Sequence, residues 1–235
     1  MADRLVVVLP VYNEAAGLER LFDEWLPALR ACADDFTICA LNDGSTDASA
    51  RVLRSLAQRC ANIRVVDKPN AGHGATCVQG YRSAIAEGAD WVLQIDSDGQ
   101  CDPASFAAFW AQRSADRPVY GYRRQRDDGA TRKAMSRAVS LVVFAASGTW
   151  VRDANVPYRL MHRSHLEGAV DEIPADFNLA NVLLAVLHQE RHGIRWIDIR
   201  FRKRATGTPS VRPLGFVRRG VQLYAQTRRV RRAPR

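Results

Sequence analysis

Two carboxylates one residue apart, Asp96 and Asp98, close an apolar run in the segment Gln94-Ile95-Asp96-Ser97-Asp98-Gly99-Gln100. In an extended chain alternate side chains point the same way, so both can approach one hard divalent cation, Mg2+ or Mn2+, that also holds a diphosphate. Such an ion would neutralise the charge that grows on a departing nucleoside diphosphate. The same residues also fit an acidic turn capping the next helix, and taken alone they admit both readings.

Three earlier segments carry weaker signals of the same kind. Val8-Leu9-Pro10-Val11-Tyr12-Asn13-Glu14 ends an apolar run at a proline that stops pairing and exposes Asn13 and Glu14. In Asn42-Asp43-Gly44-Ser45-Thr46-Asp47, Asp43 could accept hydrogen bonds from a nucleotide ring or ribose, while Asp47 caps a helix. Asn70-Ala71-Gly72-His73-Gly74 has two glycines, including Gly72, that let a backbone pass close to a ligand. That loop lacks the strand-then-GxGxxG arrangement of dinucleotide binding, which disfavours a nicotinamide dehydrogenase.

The elements that must position these loops follow from periodicity. Strands are predicted over 5–10, 36–41, 63–66 and 91–95, and helices over 13–29, 48–59 and 76–87. Alternation at this spacing predicts an α/β fold, a Rossmann-like, mostly parallel sheet flanked by helices, with ligands at the carboxyl ends of the strands. Farther on, the pattern gives helices over 103–113, 132–146 and 214–230 and strands over 119–122 and 194–201. The expected division is one domain over 1–212 and a basic amphipathic helix and tail over 213–235.

In order and spacing, the four motifs together resemble the family-two inverting glycosyltransferases with the GT-A fold. Later segments, Gly121-Tyr122-Arg123, Arg132-Lys133-Ala134-Met135-Ser136 and Arg204-Ala205-Thr206-Gly207-Thr208, resemble the polyprenyl-phosphate branch typified by dolichyl-phosphate mannose synthase. The resemblance spans roughly residues 5–210. It implies a UDP- or GDP-sugar donor held by Pro10, Tyr12, Asn13, Glu14, Asp43, Gly72, Asp96, Ser97 and Arg204. It implies a metal and diphosphate centre at Asp96, Asp98 and Gln100, with Arg123, Arg132 and Ser136 around the phosphate of a polyprenyl acceptor. Asp98, Arg123, Arg132 and Ser136 are thus the expected catalytic set.

A phosphate oxygen is already ionised near neutral pH, its second pKa being about 6, and needs no strong base. A hydroxyl acceptor would need one, and Asp171, Glu172 and Asp176 are the nearest carboxylates, though without the glutamate-aspartate pair such relatives carry. The segment Asn155-Val156-Pro157 stands where many relatives have a glycine-containing turn, and Thr208-Pro209-Ser210 replaces a frequent serine-lysine.

The chain has 235 residues and a formal charge of +9, and after Asp198 it has twelve lysines and arginines but no acid. Such a segment seeks phosphates, either on a membrane surface or in a substrate. The helix over 214–230 can lie among lipid headgroups, or pack Val217, Val221 and Tyr224 on the domain itself. An RNA-binding module would interleave aromatic with basic residues, yet the tail past Arg204 has only Phe216 and Tyr224, so no nucleic acid is expected. A nucleotidyltransferase would place a glycine-rich basic loop after the first strand, where Val11-Tyr12-Asn13-Glu14 stands. No run reaches the roughly 18 apolar residues of a membrane span. The N-terminus does not read as a secretory signal, so the expected location is cytoplasmic, including the inner membrane face. The five scattered cysteines read as reduced. His162 with His165, and His188 with His192, have helical metal-ligand spacing but read as core or surface residues, whereas His73 lies in the candidate donor loop.

Overall fold

Every residue from Leu5 to Val11 is buried in strand β1 (Arg4–Val11), a run apolar on both faces that suits only a strand covered above and below. It lies at the centre of a seven-stranded sheet in a computed structural model that describes residues 3–127, 130–174, 177, 179–204 and 213–232. The side chains of 126, 130–133, 213–219 and 231–232 fall outside that description.

The first half is built from strand-helix units: α1 (Ala15–Arg30), β2 (Asp35–Asp43), α2 (Ser49–Arg59), β3 (Ile63–Lys68), α3 (His73–Ala86) and β4 (Trp91–Gln94). A short 3-10 turn (Pro103–Ser105) leads into α4 (Phe106–Ala111), β5 (Val119–Arg126) and α5 (Ala130–Ser147). Then come β6 (Arg159–His162), α6 (Arg163–Leu166), α7 (Ala180–Arg191), β7 (Arg195–Phe201) and α8 (Pro213–Arg232). The sheet order is β3-β2-β1-β4-β6-β5-β7, parallel except at β6, which runs against both β4 and β5. The chain steps outward from β1 to β3 and then returns past β1 to β4. Right-handed crossovers therefore place α1 and α2 on one face and α3 on the other, and a crevice opens where the direction reverses.

Packing fixes where these elements stop. On one side Trp25 of α1 meets Phe106 at 6.2 Å and Tyr158 at 5.6 Å between ring centroids, and Phe109 stacks on Tyr158 at 4.3 Å. On the other side α3 lies directly on the sheet at Gly80, where an added Cβ would stand 2.4 Å from Val8 Cγ1 and 3.1 Å from Leu41 Cδ1. Only glycine permits that approach, which brings the start of α3 to the ends of β1 and β2.

Four elements bear on what the sequence predicts. Helix α3 begins at His73 rather than near residue 76, with Gly72 at φ +85° before it, so His73 and Gly74 belong to the helix and not to a loop. Neither β6 nor α7 has a periodic signature: β6 is four residues long, and Ala180 to His188 of α7 are all buried, leaving no polar face to mark a period. Helix α8 packs near α5 and buries Leu223 and Thr227; of Val217, Val221 and Tyr224, the residues expected on the domain if the helix packs there, Val221 and Tyr224 face outward and the Val217 side chain lies outside the described residues. Among the described residues no helix is long and apolar enough to cross a membrane.

The histidines with helical spacing gather behind β6 and α7. His165 Nδ1 accepts from the His162 N–H at 3.2 Å, and its Nε2 donates to the Ala115 carbonyl at 2.8 Å. His188 Nε2 donates to the His165 carbonyl at 2.9 Å, leaving Nδ1 to accept from the Tyr120 hydroxyl at 2.9 Å. Both rings are thus satisfied as neutral imidazoles, and no three His, Cys, Asp or Glu among the described residues are placed to hold a metal. Burial lowers the His165 pKa from 6.5 to about 4 and drives His188 well below its ordinary value. The unfolded chain then takes up these protons first as pH falls, so stability is full above about 6.5 and is lost toward 4. Compared with a His165→Gln variant, the parent should lose about 1.4 kcal/mol of unfolding free energy per pH unit across that range. Urea unfolding at several pH values measures this, and a constant difference would mean His165 protonates equally in both states.

Candidate active site

The loops that follow β1, β2 and β4 meet in a cleft of about 760 Å3, closed on its far side by the 155–157 segment, the start of α7 and helix α8. Pro10, Tyr12, Glu14, Asp43, Gly72, Asp96, Ser97, Asp98 and Arg204 all line it. Nine of the residues singled out from sequence are therefore brought together. Asn13, Gln100, Arg123 and Ser136 are not in its wall, and the Arg132 side chain lies outside the described residues.

Asn13 takes the left-handed conformation, φ 54°, and its side-chain oxygen accepts from the Thr46 N–H at 2.8 Å and the Asp47 N–H at 3.3 Å. Asp47 in turn accepts from Ala15 N at 3.1 Å and Ser49 N at 2.8 Å. The loops after β1 and β2 are thus sewn together, with the donors at the starts of α1 and α2 satisfied. Asp43 organises the third loop: its carboxylate accepts from Ala71 N at 2.8 Å and Gly72 N at 2.9 Å and forms an ion pair with Lys68. Burial pushes the Asp43 carboxyl up, but Lys68 and these donors outweigh it and hold the group below its ordinary value.

Three carboxylates stand at the base of the cleft. Asp96 Oδ1 receives Gln94 Nε2 at 3.0 Å and His73 Nε2 at 2.9 Å. Burial opposes its ionisation, yet His73, then Arg123 and Arg159, keep its pKa depressed. The Cys77 sulfur and the Asp96 carboxylate in turn raise the His73 imidazole well above its ordinary value. Asp98 lacks comparable support: burial and then the charge on Asp96 push it up to about 6. Glu14 is ion-paired to Arg204 through Oε1, its Oε2 is buried without a hydrogen-bond partner among the described residues, and burial raises its pKa to about 7 despite Arg204. Oxygen atoms of Asp96, Asp98 and Glu14 therefore share one cleft, hard donors of the kind that suit Mg2+ or Mn2+. Asp96 and Asp98 could offer two carboxylate ligands to such an ion.

Gln100 and Arg202 place Arg204. Gln100 Nε2 donates to the Arg202 carbonyl at 2.9 Å, Arg202 N donates back to Gln100 O at 3.0 Å, and the Arg202 guanidinium reaches Asp102 at 2.8 Å. The chain past β7 is thus tied to the turn after Asp98, whose Oδ1 accepts the Gln100 N–H at 3.1 Å. Arg123, on β5, is clasped by Asp153 at 2.6 and 2.8 Å and reaches Ser136 Oγ of α5 at 3.4 Å. Asp171 and Glu172 pair with Arg82 and Arg191 away from the cleft, and Asp176 lies outside the described residues.

Sequence reading missed Asn155, Pro157, Leu179, Asn181, Gln222, Leu223 and Gln226 in the cleft wall. Asn155 and Pro157 lie in a segment noted only for its departure from the family pattern. Those on α7 and α8 are ordinary core or helix residues whose placement depends on tertiary packing.

Comparison with known proteins gives the same picture. An undecaprenyl-phosphate 4-deoxy-4-formamido-L-arabinose transferase from Pseudomonas paraeruginosa is 33% identical over 173 residues, covering 70% of this chain and 49% of the relative. A transferase of the same description from Pectobacterium atrosepticum is 27% identical over 198 residues, covering 79% of this chain and 59% of its own. The chain spans about half the length of the curated relatives it matches. Among solved structures, glucosyl-3-phosphoglycerate synthase from Mycobacterium tuberculosis, in complex with Mn2+ and UDP-glucose, superposes with a TM-score of 0.67 at 19% identity. That match covers 96% of this chain and 79% of the other, and it shows the shared GT-A fold. The glycosyl transferase family 2 pattern matches residues 6–174, most of the sequence, and the chain belongs to that family.

Proposed function

We propose that this chain moves a sugar from a UDP- or GDP-sugar to a polyprenyl phosphate, with inversion and with Mg2+ or Mn2+ bound at Asp96 and Asp98. The observation that carries the reading is the meeting of Asp96, Asp98, Glu14 and Arg204 in one cleft at the point where the strand order reverses. The names of the curated relatives support the acceptor, and the Mn2+ and UDP-glucose bound by the structural neighbour support the donor and metal.

A divalent cation held by the two aspartates supplies positive charge against the diphosphate leaving group. Pro10, Tyr12 and the Asp43-shaped loop at Gly72 form the wall for the nucleotide, and Ser97 faces the same space. Arg204 is placed to exchange Glu14 for the donor diphosphate. Arg132 and Ser136 of α5 would hold the acceptor phosphate together with Arg123, which Asp153 orients and which reaches Ser136. The acceptor oxygen attacks the anomeric carbon as the bond to the diphosphate breaks, and no proton moves. Positioning and charge stabilisation then supply the acceleration.

The membrane surface that carries such an acceptor fits the outer side of α5. Leu141, Phe144 and Trp150 are exposed, Phe144 and Trp150 touch edge to face at 6.0 Å, and Val221 and Tyr224 are exposed on neighbouring α8. No acid occurs in α5 or α8, which suits an anionic headgroup layer.

Purified protein incubated with Mn2+, labelled UDP- and GDP-sugars and a short polyprenyl phosphate should pass label into the organic phase. Bound donor without labelled lipid would remove the polyprenyl phosphate from the reading. Asp98→Asn should lower turnover on the order of 100-fold or more, by analogy with loss of a charge-stabilising group, and normal metal-dependent turnover would exclude Asp98 from the centre. Phosphatidylglycerol vesicles should sediment with the protein, less so at high salt and less for a Phe144→Ser, Trp150→Ser double variant. Equal sedimentation of both proteins would place the membrane contact elsewhere.

A further inference from the structure

Beneath the cleft lies a chain of uncharged side chains that no part of the transfer reaction uses. Tyr81 of α3, Gln94 of β4 and Asn181 of α7 are buried, Tyr81 and Gln94 with no exposed surface at all. The Tyr81 hydroxyl donates to Asn181 Oδ1 at 2.7 Å, Asn181 Nδ2 donates to Gln94 Oε1 at 3.3 Å, and Gln94 Nε2 donates to Asp96 Oδ1 at 3.0 Å. The Asn181 backbone is itself held, its carbonyl accepting from Arg159 Nη1 at 2.6 Å. Arg159 is fully buried, and it also donates to the Val156 and Ala154 carbonyls and the Tyr120 hydroxyl.

We infer that Tyr81, Asn181 and Gln94 form a one-directional hydrogen-bond relay that positions Asp96 as a metal-binding carboxylate. This rests on the reading of Asp96 as a metal ligand.

The direction follows from the groups at its ends. An ionised carboxylate only accepts, so Gln94 must turn its NH2 toward Asp96 and its carbonyl oxygen toward Asn181. Asn181 must then offer its NH2 to Gln94 and its oxygen to Tyr81, which leaves the tyrosine as donor. Flipping either amide would set oxygen against oxygen in a buried site, where an unpaired polar group is costly. The relay and His73 both bind Oδ1, and no hydrogen bond to Oδ2 occurs among the described residues. One oxygen is therefore fastened and the other left for a cation. Partners behind a ligating group fix its orientation, and their loss commonly weakens metal binding 10- to 100-fold. Because Asn181 also lines the cleft, α7 couples the shape of the wall to the position of Asp96.

Mn2+ binding, followed by the loss of the free-ion paramagnetic resonance signal with saturating UDP and again with GDP, tests the inference without turnover. Gln94→Met keeps the volume but removes the donor and should weaken Mn2+ binding about 10-fold or more. Tyr81→Phe deletes only the far hydroxyl, so it folds more readily and should weaken binding by a smaller factor, with a melting temperature close to that of the parent. Mn2+ affinity equal to the parent's in both variants, whatever their melting temperatures, would overturn the relay while leaving Asp96 a ligand. Parent-like Mn2+ binding by Asp96→Asn would instead overturn the ligand reading and the relay with it.

Discussion

Glu14, Asp96 and Asp98, the first buried and the other two half-buried, meet at the end of one sheet and repel one another, and the surrounding structure is arranged to hold them there. Asp96 is supported by Gln94, His73 and the nearby guanidinium groups of Arg123 and Arg159 and stays ionised. Asp98 and Glu14 are supported less and rise to about 6 and about 7. A divalent cation beside Asp96 and Asp98 would favour their ionised forms. Glu14 shows the same arrangement from the other side: Arg204 satisfies one oxygen, and the second is buried with no hydrogen-bond partner among the described residues.

This constraint explains why elements far apart in sequence must arrive together. Arg204 reaches Glu14 only because β7 ends beside the turn after Asp98, and Gln100 with Arg202 locks that junction through two hydrogen bonds. The crevice itself depends on β1 lying between β2 and β4, and on Gly80 letting α3 settle against Val8 and Leu41. A side chain at residue 80 would lift the helix whose first residue, His73, supports Asp96.

The first hundred residues were largely legible because each strand is a short apolar run and each helix has one apolar face, so local pattern and tertiary role agree. The motif loops at Glu14, Asp43 and Asp96 fell where the strand ends put them. Legibility failed where packing replaces pattern: α7 is buried all round, β6 is too short to show a period, and α8 turns Leu223 inward while Val221 and Tyr224 face out. Residue type misled in a different way at Asn13 and Gln100. Both are polar and sit inside motifs, yet the structure uses their amides to fasten loops and neither lines the cleft.

That difference separates two ways a motif residue can matter. Tyr12, Asp96, Ser97 and Asp98 line the cleft, where a ligand would meet them directly. Asn13, Asp47 and Gln100 hold the backbone from which those residues project, and replacing them would move the site as a unit. Asp43 does both, since it lines the cleft while its carboxylate is occupied by the N–H groups of Ala71 and Gly72. Its hold on that loop places Gly72, and a residue with a Cβ would be strained at the φ of +85° found there. The spacing of the motif is thus a record of hydrogen-bond geometry between loops as much as of contacts to a ligand. For this reason the ordered set of motifs identifies the fold more sharply than any one of its carboxylates identifies the chemistry.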